Sequence, residues 1–408
     1  MISEYMMEFG YTSEEVDIVL DSLKHRKYRD DMIYKKIKDF NDYFLGLGFS
    51  IEDIIKISVK CPYIYSNSMD GIINKSNYLF EIGYNISDLR KIAIGFPSIY
   101  VLGVDTVNCR IREFINLGFS KTKIIQMIRL HPNILGYDII LIKNHINNIM
   151  KLGYSYEEVM KMTKNNPQLF GLGIDTIVNR IDGFIRLGYS YNDIIKMGLK
   201  HSQIYGYTNE DIECKINFLV GLGFSYNDVI NMTKKFSVIF SYSIISMNEK
   251  INNLLNLGYK KEDILLMIKI HSQILSYSID SILKRFDDLS LLGYSHDEII
   301  NMTVKLPSLF GFSIDNIRVK KEFYDSIGLG DVLVIDSKQI IQSIDVSYAR
   351  YRFYQKMGIN ISMNNYKRLF IGQIEFKKKY GKDNKQLVEL YGYDTSKLNN
   401  DNIKIRNI

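Results

Sequence analysis

Basic residues recur in this sequence at a fixed interval. Lys75, Arg110, Arg180, Lys215, Lys250, Arg285 and Lys320 stand 35 residues apart or a multiple of it, His145 fills the one gap, and Arg350 keeps the same offset of eight residues before a glycine. One cation per structural layer, with layers ~10 Å apart, has the spacing to follow a phosphate backbone, and such binding weakens log-linearly with salt. The same side chains have a second use. Their stems flank an apolar stripe, so each charge could instead meet an acid of its own fold, and at Lys123 and His145 the acid and the cation change together. Groove contact and internal ion pair both stay open at this level.

A second basic region lies near the C-terminal end. Residues 346–385 hold Arg350, Arg352, Lys356, Lys367, Arg368, Lys377, Lys378, Lys379, Lys382 and Lys385 against Glu375 and Asp383, a net charge of +8 where the whole chain carries +6. The interleaved Tyr351, Phe353, Tyr354, Tyr366, Phe370, Phe376 and Tyr380 fit two arrangements. Either the rings stack on bases while the cations hold phosphates, or a capping unit has an aromatic core and a solvated, charged face.

Other repeated residues carry less chemistry. Tyr137, Tyr207, Tyr242 and Tyr277 share one place in the period, where packing at a helix junction is favoured over stacking on a base. His131, His201 and His271 recur every 70 residues. Two layers, ~20 Å, then separate them, beyond the reach of one metal ion, and they read as helix-end packing residues. No P-loop, H-E-x-x-H or G-x-S-x-G is present, and the G-L-G tripeptides at 171–173 and 328–330 lack the strand a dinucleotide loop needs. Cys61, Cys109 and Cys214 are too far apart for a thiolate zinc site or a disulfide framework. No catalytic residue, metal or cofactor is expected.

The elements that must position these residues follow from the same period. Glycines at 48, 83, 118, 153, 188, 223, 258, 293 and 328 mark eight repeats of 35 residues, the signature of a solenoid whose units complete their cores only by stacking. Positions are counted here from the residue after each glycine. Serine at position 2 and an acid at position 5, as in Ser155 and Glu158, form a capping box, and apolar positions 6, 7 and 9 follow, giving a first helix of ten or so residues. All five prolines (Pro62, Pro97, Pro132, Pro167, Pro307) fall at position 14, where Ser202, Ser237 and Ser272 stand in the other three repeats; Pro ends one helix and starts the next, and Ser is expected to cap one. A short helical turn and a second long helix with apolar positions 21, 24, 28, 31 and 34 complete the unit, closed by glycine in the left-handed conformation.

The expected organisation is an N-terminal capping repeat over 1–48, eight repeats over 49–328, an irregular basic cap over 329–393 and a flexible tail over 394–408. Within it, residues 11–48 read as a 38-residue variant opening at Ser13, 329–358 as a shortened unit and 359–381 as one more partial unit. The first charges of the chain are acidic, from Glu4 to Asp17, and no uncharged stretch reaches the ~18 residues of a membrane span. A soluble intracellular protein is expected, cytoplasmic or nucleoid-associated, or in an organellar matrix if an import sequence has been removed.

The order L-G-[FY]-S-x-x-[DE]-[IV], then P-x-[IL]-[FYL], then S-[IV]-D with a basic residue and a closing L-G, is written out by Leu152-Gly153-Tyr154-Ser155 through Pro167, Asp175, Arg180 and Leu187-Gly188. It resembles the mitochondrial transcription termination factor (mTERF) repeat over about residues 40 to 360. The sequence departs from the pattern where Ser replaces Pro and where isoleucines stand for leucines. The resemblance implies an all-α superhelix whose basic concave groove tracks double-stranded nucleic acid, with a basic residue on the second long helix of each unit. The expected function is non-catalytic binding of nucleic acid by a monomer, duplex DNA favoured and RNA possible, in transcription regulation or termination. The expected contacts are Lys75, Arg110, Arg180, Lys215, Lys250, Arg285, Lys320, Arg350, Arg352, Lys367, Arg368, Lys377, Lys378 and Lys379. The competing class is a helical-repeat scaffold for a protein or peptide.

Overall fold

The computed structural model describes residues 2–24 and 29–392, and every regular element among them is helical. The tail expected over 394–408 lies outside the described residues. The chain divides into two units, Met1–Asp211 and Ile212–Ile408, and the division falls inside the helix Asn209–Leu222 rather than between repeats.

The fourth repeat shows how the sequence builds one layer. The Ser155 hydroxyl accepts the Glu158 N–H at 3.2 Å while the Glu158 carboxylate accepts the Ser155 N–H at 2.8 Å, and the helix Tyr156–Asn165 begins there. The same reciprocal box opens helices at Ser50, Asn85, Ser190 and Ser295, each worth ~1 kcal/mol. Pro167 starts the 3-10 helix Pro167–Gly171, which drives Leu169 and Phe170 into the core. Gly173 precedes the second helix, Ile174–Arg186, which buries Ile177, Ile181 and Phe184 and leaves Ile174 and Leu187 half-buried at the stripe's ends. The glycines that end the second helices, from Gly48 to Gly358, have φ between +71° and +118°, a region that any Cβ would strain.

Ser202, Ser237 and Ser272 do not act as caps. They occupy the first position inside their 3-10 helices, as Pro does elsewhere, with the cap place taken by His201, Phe236 and His271. Buried there, the Ser272 hydroxyl donates back to the Ile268 carbonyl at 3.0 Å.

Within each unit the first helices of successive repeats pack side by side. Position 3 ties neighbouring turns together: the hydroxyls of Tyr156 and Tyr191 donate to the carbonyls of Leu117 and Leu152, both at 2.9 Å, and His296 reaches the Leu257 carbonyl at 2.9 Å. These carbonyls end helices and would otherwise lack a partner. Gly198 lies mid-helix because the Tyr154 and Tyr205 hydroxyls, 2.6 Å apart, fill the place its Cβ would take.

The N-terminal variant opens one residue earlier than expected. Thr12 and Glu15 form the reciprocal box, with N–H to carboxylate at 2.9 Å and N–H to hydroxyl at 3.3 Å, and Gly10 with φ +121° precedes them as in a full repeat. At the other end, the shortened unit holds helices Val332–Ile335, Ser337–Ile341 and Ile344–Lys356. The partial unit holds Tyr366–Phe370 and Gln373–Tyr380, and a further helix, Asn384–Tyr391, was not expected.

Candidate nucleic-acid interface

Position 27 lies on the second helix, at the edge of its buried stripe, and points toward the following repeat. In the second unit the Lys215 ammonium donates to the Phe240 carbonyl at 2.5 Å, Lys250 to that of Leu275 and Lys320 to that of Ile340. Arg350 donates to Leu369 and Ile371 at 2.9 and 2.5 Å and to Asn384 Oδ1 at 2.8 Å, over the Phe376 ring at 4.5 Å. Each of these carbonyls closes the next 3-10 helix. Such an end carries orphan acceptors and the negative pole of the helix, and a cation there satisfies both.

In the first unit the rungs differ. Lys75 is 2% exposed and its ammonium has no hydrogen-bond partner among the described residues, with the Tyr78 ring 6.0 Å away. Arg110 pairs with Glu113 on its own helix at 2.9 Å, and Arg180 is half-buried with Nε unpartnered. His145 is half-buried, and burial pushes its imidazole below the ordinary value. Arg285, in the second unit, lies 3.5 Å from Asp288 of its own helix. Burial pushes Lys75 and Lys320 down to about 8 and lowers Lys250 and Arg350 as well.

These placements correct both readings of the ladder. Lys75, Lys320 and Arg350, at most 3% exposed, present no charge to a groove, and Lys215 and Lys250 spend theirs on carbonyls. Nor do Lys75, Lys250, Lys320 and Arg350 meet a position-5 acid among the described residues. That carboxylate takes a cation from the next first helix instead: Arg90 meets Asp53 at 2.6 Å, Arg129 meets Asp88 at 2.7 Å and Lys269 meets Asp228 at 2.9 Å. Burial works to raise the Asp53 carboxyl, yet the Ser50 hydrogen bonds and Arg90 outweigh it; Lys269 and then Ser225 hold Asp228 below its ordinary value. The joint change at Lys123 and His145 therefore does not mark a broken pair.

The C-terminal basic region separates into core and surface. Phe353, Tyr354, Phe376 and Tyr380 form one cluster with centroids 4.8 to 6.1 Å apart; Phe353, Tyr354, Phe376 and also Tyr366 are buried and Tyr380 is half-buried at the edge, so the buried rings are core and not a stacking platform. Lys367, Arg368, Lys377, Lys378, Lys379 and Lys385 are exposed around it. Of these, Lys377 approaches Asp383 at 3.3 Å, while Arg352 is half-buried and donates to Gln355. Phe376 fixes the buried side of the helix Gln373–Tyr380, and the next three lysines fan around its open side.

The histidines behave as packing residues. His131, His201 and His271 end first helices, and each Nε2 faces the hydroxyl of the tyrosine six residues on, at 3.1, 3.5 and 3.5 Å, which also places Tyr137, Tyr207 and Tyr277 in the junctions. Burial lowers all three imidazoles. Tyr242 instead faces the Lys250 ammonium at 4.9 Å. No cluster of three metal-ligating side chains occurs among the described residues, and no helix there is long and apolar enough to cross a membrane.

A basic series on the first helices went unread in the sequence. Lys60 donates to Ile94 and Gly95 at 3.1 and 2.6 Å, and Lys305 to Val334 and Ile335 at 3.2 and 3.0 Å, again at helix ends. Lys161, Lys196 and Lys200 are exposed and Lys164 half-exposed on the same helices. Spacings of three and four residues, from position 8 to 11 or 12, were the available signal.

A capped first helix, a 3-10 turn and a second helix ended by left-handed glycine, repeated with the same inter-layer bonds in both units, define an all-α helical-repeat protein. The chain belongs to the mTERF family, which it matches over residues 1–151, 140–221 and 205–327. That family comprises non-catalytic, nucleic-acid-binding repeat proteins with transcription-related roles. A comparison with curated proteins found no match.

Proposed function

We propose that this protein binds duplex DNA as a monomer, without a cofactor, and acts in transcription regulation or termination. Family membership supports the nucleic-acid class. The observation that carries the reading is the C-terminal cap, where Lys367, Arg368, Lys378, Lys379 and Lys385 are exposed and make no salt bridge among the described residues. Cations so placed are free to neutralise phosphates and release counterions. Arg110, Arg180 and Arg285, half-buried and without carbonyl partners, are the rungs that remain candidates for further contacts.

Fluorescence anisotropy of the full chain with random-sequence duplex DNA, duplex RNA and single strands, across a salt series, tests the reading. The expected result is tightest binding to duplex DNA, falling log-linearly with a slope of about 0.9 per phosphate contacted. Replacing Lys377, Lys378 and Lys379 together by Glu is expected to weaken it strongly with helicity intact. No binding to any of these at low salt would overturn the proposal in favour of a scaffold for protein or peptide.

A further inference from the structure

The acid at position 5 is a structural slot, and one repeat inverts it. Where one first helix lies against the next, the Asp53, Asp88 and Asp228 carboxylates each hold a cation of the following helix within 2.9 Å. In the third repeat Lys123 stands at position 5. The helix packed beside it carries Lys164 at position 11, the register from which Arg129 and Lys269 reach their acids. Lys123 and Lys164 thus occupy the two places that at Asp88 and Asp228 are filled by an ion pair.

No carboxylate pairs with either of them among the described residues. Lys123 donates to Gln126 Oε1 at 2.6 Å, a neutral acceptor, and Lys121, Lys161 and Lys164 make no hydrogen bond or salt bridge among the described residues. The Glu158 carboxylate accepts the Ser155 N–H and hydroxyl at 2.8 and 3.0 Å, and of these lysines it is Lys161 whose charge acts on it. The helix Lys121–Leu130 is also the one first helix of the eight full repeats that contains no acid. Two like charges side by side repel unless an anion bridges them, and a phosphate has the charge and the acceptor oxygens to take hydrogen bonds from both.

We infer that Lys123 and Lys164, with Lys161 one turn before Lys164 on the same helix, hold a backbone phosphate of the bound nucleic acid on the first-helix surface of repeats three and four. The inference rests on the nucleic-acid reading above. It adds a contact that is neither on the position-27 ladder nor on the C-terminal cap.

Lys123→Glu tests it, because it installs the residue type that the slot holds elsewhere and lets Lys164 form the missing pair. The variant is expected to melt at or above the wild-type temperature while its duplex affinity drops several-fold and its salt slope falls by about 1. Lys164→Gln, which removes a cation without building a pair, is expected to lower the slope by a similar amount. Unchanged affinity and slope in both folded variants would overturn the site while leaving the nucleic-acid reading intact. Wild-type protein that binds no nucleic acid would overturn that reading, and the site with it.

Discussion

Replacing Lys75 by methionine should stabilise the protein at neutral pH and do little in alkali. The Lys75 ammonium is 2% exposed, has no hydrogen-bond acceptor among the described residues and lies 6.0 Å from the Tyr78 ring. Burial pushes it down to about 8, against a smaller opposing pull from Asp105. A lysine whose folded value lies below its unfolded value of ~10.4 makes the folded state bind fewer protons, so stability rises with pH between about 8 and 10. Below that window both states are charged and the penalty is complete, on the order of 3 kcal/mol at pH 7; by pH 10 it shrinks to under about 1 kcal/mol. Methionine keeps the length and removes the charge, forfeiting a cation–π contact of ~0.5–1 kcal/mol, which leaves an expected gain of about 1–3 kcal/mol at pH 7. Urea unfolding of both proteins at pH 7 and pH 10, followed by helicity, measures it. A destabilised variant at pH 7, or a gain of equal size at both pH values, would refute the account of an uncompensated buried ammonium.

The same substitution at Lys215 should act in the opposite direction, losing about 1–3 kcal/mol in urea unfolding because the Phe240 carbonyl is left without its donor. Gly198→Ala should destabilise by ~1–3 kcal/mol despite alanine's better helix propensity, since its Cβ would meet the Tyr154 and Tyr205 hydroxyls; adding Tyr205→Phe should recover part of the loss in thermal melts. Ser155→Ala should cost ~1 kcal/mol by removing half of a capping box, whereas Ser237→Ala, at a serine that caps nothing, should cost less. Above pH ~10 the urea midpoint should fall, because burial raises the phenols of Tyr65, Tyr100, Tyr205 and Tyr324, and stability held below the unfolded value is lost as the unfolded chain ionises.

The repeat itself was legible because its signals are local. A capping serine, an acid three residues on, a proline and a closing glycine each act within one turn of backbone, so Ser155, Glu158, Pro167 and Gly188 lie as the spacing predicts. The serines at position 14 do not announce their role, because a hydroxyl suits both a cap and an interior helix position and only packing decides. The role of the ladder is hidden for a different reason. The acceptors of Lys215, Lys250 and Arg350 are main-chain carbonyls, present at every residue, so no pattern of side chains marks them. The C-terminal aromatics were ambiguous until burial showed Phe353, Tyr354 and Phe376 in the core, with the lysines of 377–379 turned outward.

In a repeat protein, regularity is a poor guide to the ligand. Every unit faces the same task of closing its core against the next, so a residue type that returns at every unit answers that task first. The cations at position 27 do so where they cap the following helix, and Asp53 and Asp88 at position 5 do so by capping their own helix and pairing with the next. A ligand that follows the repeats would select exposed residues, and burial removes Lys75, Lys320 and Arg350 from that set. The informative positions are those where one unit departs from the others at no benefit to its own packing. Lys123 is such a departure, since it gives up the capping box and the ion pair that Asp88 makes at the same position. The lysines of 377–379 are another, three charges in a row on a helix whose core contact needs only Phe376. Both departures add positive charge to an exposed surface, the sign that a polyphosphate partner requires.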